Sequence, residues 1–229
     1  TILGSGENDF RAMGMAPEAK LRVWSFKVGT VQTIKEWMTK TAEYDVANNS
    51  WGKVNGWRSI NGVPWWYGGA NPNQEDSMFG RYSVESRIVD QATKCDARIV
   101  VVGAGNDRND VGGGVHYHFE DGGLFPHMCA HPADGRDDDD PLGMVDGMDT
   151  LTPISVAKNP IVVGAVTKEG AMTSFSSWGP TDDGRIKPDI VAGGSDVFST
   201  FPSHLGLYGS LSGTSMAAPV VSGSIALLL

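Results

Sequence analysis

Two residues in this chain combine a type and a setting suited to acyl chemistry. Ser215 follows Gly213-Thr214 and precedes Met216-Ala217-Ala218-Pro219-Val220-Val221-Ser222-Gly223, a small, apolar, helix-compatible run. A hydroxyl there falls in the first turn of a helix. Unpaired N–H groups and the macrodipole favour developing negative charge at that place, and a nucleophile gains from it. The same serine also suits a plain N-cap. Asn106 closes the run Val101-Val102-Gly103-Ala104-Gly105. An amide N–H held at a strand end can stabilise the oxyanion of a tetrahedral intermediate, although Gly-Asn-Asp is equally turn chemistry. Read singly, the two fit an N-cap and a turn as well as they fit a serine attacking a carbonyl.

The elements that must position these residues show in the apolar pattern. Leu21, Val23 and Trp24 predict a strand over 20–26. Val31, Ile34, Trp37 and Met38 recur at helical spacing and predict a helix over 30–44. A strand over 45–50 comes next, then a helix over 82–94 carrying Val84, Ile88, Val89 and Ala92. Residues 98–104 are almost continuously apolar, as a strand buried on both faces requires. Further strands are predicted over 161–166, 190–192 and 197–200, and a helix from Thr214 with Pro219 tolerated near its start. Strands alternating with helices predict an α/β fold: a doubly wound, mostly parallel sheet with helices on both faces. Ligands of such sheets bind outside the carboxyl ends of the strands, where Ser50-Trp51-Gly52 and Gly105-Asn106 fall. Residues 53–79, with Trp57, Trp65 and Trp66, and residues 107–150, with four of the five histidines and an acid run, read as insertions.

Five segments taken in order resemble those of the subtilases, the subtilisin-like serine proteases. They are Met15-Ala16-Pro17-Glu18-Ala19-Lys20-Leu21, Asn49-Ser50-Trp51-Gly52, Val101 to Asp107, Phe175-Ser176-Ser177-Trp178-Gly179-Pro180 with Asp183 to Asp189, and Gly213 to Gly223. The resemblance implies that Ser215 is the nucleophile. It makes Asn106 an oxyanion donor, with the Ser215 N–H as the second donor and Thr214 assisting. Ser50, Trp51 and Gly52 would bind an extended substrate through their backbone, and Gly103, Ala104 and Gly105 would wall the primary specificity pocket. It further implies an endopeptidase that acts on polypeptides outside the cell, as a monomer, with no cofactor for the chemistry and a place for structural calcium. Gly103, Trp178 and Gly193 depart from the residues usual in the family.

A subtilase also needs an Asp and then a His ahead of its Ser. The family's His-Gly-Thr-His segment is not found in these residues, and Thr1-Ile2-Leu3-Gly4 is similar to the stretch that comes after that segment in the family. The expectation is that residues 1–229 are a partial catalytic domain, nearly inactive and poorly folded alone. The alternative is a pseudoprotease, the fold kept for binding peptides.

Composition narrows the rest. A net charge of −9 argues against nucleic acid and anionic membrane surfaces as partners. No apolar run approaches the roughly 18 residues of a membrane span. Cys95 and Cys129 suit either one disulfide or two buried thiols, and two cysteines in a chain this long favour the unpaired reading. His116, His118, His127 and His131, with Cys129, lack strong zinc spacing and read as a polar surface insertion. Asp134, Asp137 to Asp140, Asp146 and Asp149 offer hard oxygen donors for calcium, but a charge run is also an ordinary solvated face, and the family resemblance adds Glu7, Asn8 and Asp9 as a second, weaker candidate. A dinucleotide fingerprint fails because Arg108 takes its third glycine position. An α/β-hydrolase elbow fails because Ala217 takes its last glycine position and no Asp, Glu or His follows Ser215.

Overall fold

The computed structural model describes residues 1–24, 44–68, 76–95, 98–109, 114–120, 123–131 and 148–229. Its strands are β1 (Val46–Asn49), β2 (Trp57–Ile60), β3 (Val63–Trp66), β4 (Ile99–Gly103), β5 (Gly114–Glu120), β6 (Gly123–His131), β7 (Ile161–Val166), β8 (Ile190–Gly193), β9 (Val197–Thr200) and β10 (Tyr208–Leu211). Two helices are described, α1 (Val84–Cys95) and α2 (Thr214–Ala226). The helix expected over 30–44 lies almost wholly outside the described residues.

Strands β1, β4, β7 and β8 form a parallel sheet in the order β1-β4-β7-β8. The valines of β4 show why both its faces are covered. Successive side chains alternate across a strand. Val100 and Val102 join Ala47 and the α1 residues Ile88, Val89 and Ala92 on one side. Val101 joins Val163, Ala165 and the α2 residues Ala217 and Ala218 on the other. The expected doubly wound arrangement is thus present. Val101, Val102, Val162 and Val163 are all at most 1% exposed, and each such burial stabilises by about 1.5–3 kcal/mol.

The N-terminus of α1 is set by Ser83, whose Oγ accepts from the N–H groups of Glu85 and Ser86 at 3.1 and 3.4 Å. Further along α1, the buried Asp90 accepts from the Lys158 and Asn159 N–H groups at 2.8 and 2.7 Å and from the Tyr82 hydroxyl at 2.7 Å. Those bonds hold the turn before β7 against the helix.

One expectation is corrected and two gain detail. Residues 20–24 are not a strand, and Leu21 and Val23 are 65% and 78% exposed. A strand persists only where a neighbour takes its backbone groups, and among the described residues none pairs with this run. Strand β9 does form, but outside the parallel sheet, as an antiparallel ribbon with β10. The two stretches read as insertions share one sheet. They supply β2, β3, β5 and β6 to a single mixed sheet in which β3 runs parallel to β5, Trp65 opposite Tyr117. Trp57 and Trp66 face each other across β2 and β3 with ring centroids 5.1 Å apart, and are 3% and 1% exposed.

Candidate active site

Ser215 lies in the first turn of α2, and Ser50 lies just past the end of β1. The two are tied reciprocally: Ser215 Oγ donates to the Ser50 carbonyl at 3.2 Å, and Ser50 Oγ donates to the Ser215 carbonyl at 3.0 Å. Seven residues on, Ser222 Oγ donates to Asn48 Oδ1 at 2.9 Å. Positions seven apart share a helix face, so one face of α2 is stitched to β1 at two levels. Among the described residues no imidazole is hydrogen-bonded to Ser215.

Asn106 lies just beyond β4. Its Oδ1 accepts from the Thr214 N–H at 2.8 Å and from Thr214 Oγ1 at 3.1 Å. The Thr214 N–H can only donate, so the amide atom facing it is the carbonyl oxygen. Asn106 therefore satisfies an N–H that the start of α2 would otherwise leave open, and its Nδ2 remains the donor for anything bound beside it. Thr214 Oγ1 also accepts from the Gly105 N–H at 3.3 Å. Strand end and helix start are thereby held in one register.

Gly105 adopts φ +115°, a conformation that favours glycine. Around it, the Ser177 N–H donates to the Gly105 carbonyl and the Asp107 N–H donates to Ser177 Oγ, both at 3.0 Å. Gly194 lets the chain leaving β8 approach α2: a Cβ there would lie 2.6 Å from the Ala165 Cβ and 2.8 Å from the Gly213 carbonyl oxygen.

The remaining candidate residues divide between backbone and core. Trp51 packs beside the α1 side of the core, and its Nε1 donates to Asn49 Oδ1 at 3.2 Å. A Cβ on Gly52 would meet Thr152 Oγ1 at 3.3 Å. Gly103 abuts Thr214, and the Ala104 side chain is fully buried with Leu151, Val156 and Val162. Whatever Trp51, Gly103 and Ala104 offer a ligand is therefore mainly backbone.

Sequence reasoning missed Arg58. Its guanidinium meets the carboxylate of Asp107, the residue after Asn106, at 2.6 Å. The signal was slight, one cation beside Trp57 in a stretch read as an insertion.

For metals, Asp9 is engaged locally. It accepts from the Arg11 N–H at 3.0 Å and pairs with the Arg11 guanidinium at 2.7 Å. The hydrogen bond to Arg11 is the main cause that holds its carboxyl below the usual range. Asp149 and Asp182 both approach Gly80, and burial raises Asp182. Among the described residues no three His, Cys, Asp or Glu side chains converge on a possible metal position. Asp134, Asp137 to Asp140 and Asp146 lie outside the described residues, as do the side chains of Cys95, His116, His118, His127, Cys129 and His131. None of the described helices is long and apolar enough to cross a membrane.

A family model described as the subtilase family matches residues 1–229. C5a peptidase of Streptococcus pyogenes is 53% identical over 57 residues, which cover 25% of this chain and 5% of that protein. Pyrolysin of Pyrococcus furiosus is 53% identical over 55 residues, 24% of this chain and 4% of the relative. The match therefore spans only a small part of the length of these curated relatives. Among solved structures, patellamide maturation protease PatA superposes with a TM-score of 0.58 at 20% identity, over 100% of this chain and 61% of that one. That likeness is one of fold.

Proposed function

The chain belongs to the subtilase family, and from that premise we propose that it forms part of a serine endopeptidase with Ser215 as nucleophile. The observation that carries the reading is the clamp on Asn106. Its acceptor is occupied by Thr214 at 2.8 Å, which leaves its N–H donors beside the first turn of α2. Ser215 Oγ would attack the substrate carbonyl carbon and pass its proton to a histidine oriented by an aspartate. The oxyanion so formed would accept from Asn106 Nδ2 and the Ser215 N–H. Collapse expels the amine and leaves an acyl-enzyme on Ser215, which water then cleaves.

Residues 50–52 come directly after β1 and suit an extended peptide bound by main-chain hydrogen bonds, with Gly103 to Gly105 walling a pocket beside it. The family's His-Gly-Thr-His segment is not found in residues 1–229, so these residues by themselves are expected to show almost no turnover. Polypeptide substrates, action outside the cell, a monomeric state and structural calcium are the family-based parts of this reading.

The test is labelling of the full-length protein by a fluorophosphonate, with peptide hydrolysis measured in parallel. Labelling at Ser215 together with hydrolysis is expected. A well-folded protein that does neither would be a peptide-binding member of the family and would end the endopeptidase reading.

A further inference from the structure

Asp107 directly follows the proposed oxyanion donor, and its carboxylate is 1% exposed. One carboxylate oxygen, Oδ2, accepts from the Asn106 N–H at 3.2 Å. The other, Oδ1, lies 2.6 Å from Arg58 Nη2. A Cβ on Gly105 would come within 3.0 Å of Asp107 Oδ2 and 2.8 Å of Ser177 Oγ. The carboxylate thus folds back against the backbone of the segment that presents Asn106.

Arg58 belongs to β2, in the other sheet, and the residues just before it are anchored. The preceding turn is tied by the buried Asp76, which accepts from Asn55 Nδ2 at 3.1 Å and from the Gly56 N–H at 2.9 Å. Next to Arg58, Trp57 is buried against Trp66. An arginine held this way carries the placement of the inserted sheet to the Asp107 carboxylate, and the carboxylate carries it to the Asn106 backbone.

We propose that Arg58 is a positioning residue for the oxyanion donor: through Asp107 it holds the Gly105-Asn106 backbone where the Asn106 amide meets the developing negative charge. This role rests on Asn106 being the oxyanion donor of an endopeptidase. The inserted sheet then has a place in the chemistry without touching substrate. A buried carboxylate keeps its place when a counter-charge meets it, and a misplacement of about 1 Å at a reacting centre can cost on the order of 10²-fold in rate.

The experiment is a double-mutant cycle in the full-length protein, read by steady-state kinetics and by amide hydrogen exchange over residues 103–108. Arg58→Gln is expected to lower kcat by roughly 10- to 100-fold with KM changed by less than about threefold. In an Asn106→Ala background the same change should cost less than about threefold, because the donor it positions is already gone. Arg58→Lys, which keeps a charge in reach of Oδ1, should recover most of the loss. Exchange over 103–108 should rise at least about tenfold in Arg58→Gln while that of β7 stays unchanged.

An equal kcat loss in both backgrounds, or unaltered exchange over 103–108, overturns the proposal. If Arg58→Gln does not fold, Arg58→Gln/Asp107→Asn removes both charges, and the same kinetic and exchange criteria apply to it. If the parent neither hydrolyses peptide nor takes the fluorophosphonate, the endopeptidase reading falls. The catalytic role of Arg58 falls with it, and exchange over 103–108 then decides only whether Arg58 holds the Gly105-Asn106 backbone.

Discussion

The parallel sheet and the inserted sheet both bury a face, but by different means. In the parallel sheet, small β-branched residues interdigitate with two helices, and Val101, Val162 and Val163 are among its fully buried side chains. In the inserted sheet, two tryptophans, Trp57 and Trp66, form a cross-strand pair on one face of β2 and β3. The site lies at strand ends of the first sheet, and Arg58 of the second reaches it. The difference teaches that chemistry and its support need not share a core. The first sheet carries the reacting groups, and the second adds a charge held on bulky anchors.

The comparison breaks most sharply at Ser215. Ser215→Ala in the full-length protein should lower turnover by roughly 10⁶, the scale of losing a nucleophile of this kind, with the thermal transition almost unmoved. Residual hydrolysis near the parent level would move the chemistry off α2. Trp66→Ala should act in the opposite sense, costing about 3–5 kcal/mol of stability while Ser215 still takes a fluorophosphonate below the melting transition. Denaturant unfolding measures the cost. A new, earlier transition would mean that the inserted sheet unfolds by itself, whereas one shifted transition would make the two sheets a single cooperative unit.

Asn106→Ala should lower kcat by about 10²–10³ with KM little changed. A smaller loss, or one confined to KM, would leave Asn106 as a helix cap and no more. The smallest effect is expected at Tyr82, whose hydroxyl donates to Asp90 of α1. Burial, and then its hydrogen bond to Asp90, push its phenol up to about 12. A raised acid pKa means that the folded state favours the neutral form. Its contribution is therefore complete below about pH 10 and is lost as pH rises toward about 12. Melting temperatures of Tyr82→Phe should fall less steeply than those of the parent across that window, and identical slopes would remove Tyr82 from the account.

Legibility in the sequence divides along the same line. Residues 98–104 announced a central strand because burial on both faces leaves a run of valines with no polar interruption. Ser215 and Asn106 could be picked out because each sits in a local pattern, one opening a helix and one closing a strand. The run around Leu21 and Val23 has the same β-prone composition, yet it is not a strand. Composition reports what a strand would bury, but not whether a neighbour is there to pair with it. The parallel pairing of β3 with β5 joins Trp65 to Tyr117, and no local pattern encodes a partner that distant.

The sequence by itself determined the family, the parallel sheet and the identity of the candidate nucleophile and oxyanion donor, since these depend on residue type and on spacing within single elements. Only the tertiary structure decided that Asn106 caps α2 through Thr214, that the two insertions merge into one sheet, and that Arg58 meets Asp107. Each of these is a contact between groups brought together by packing, and its strength depends on distance and burial, which side-chain types in a linear order do not specify.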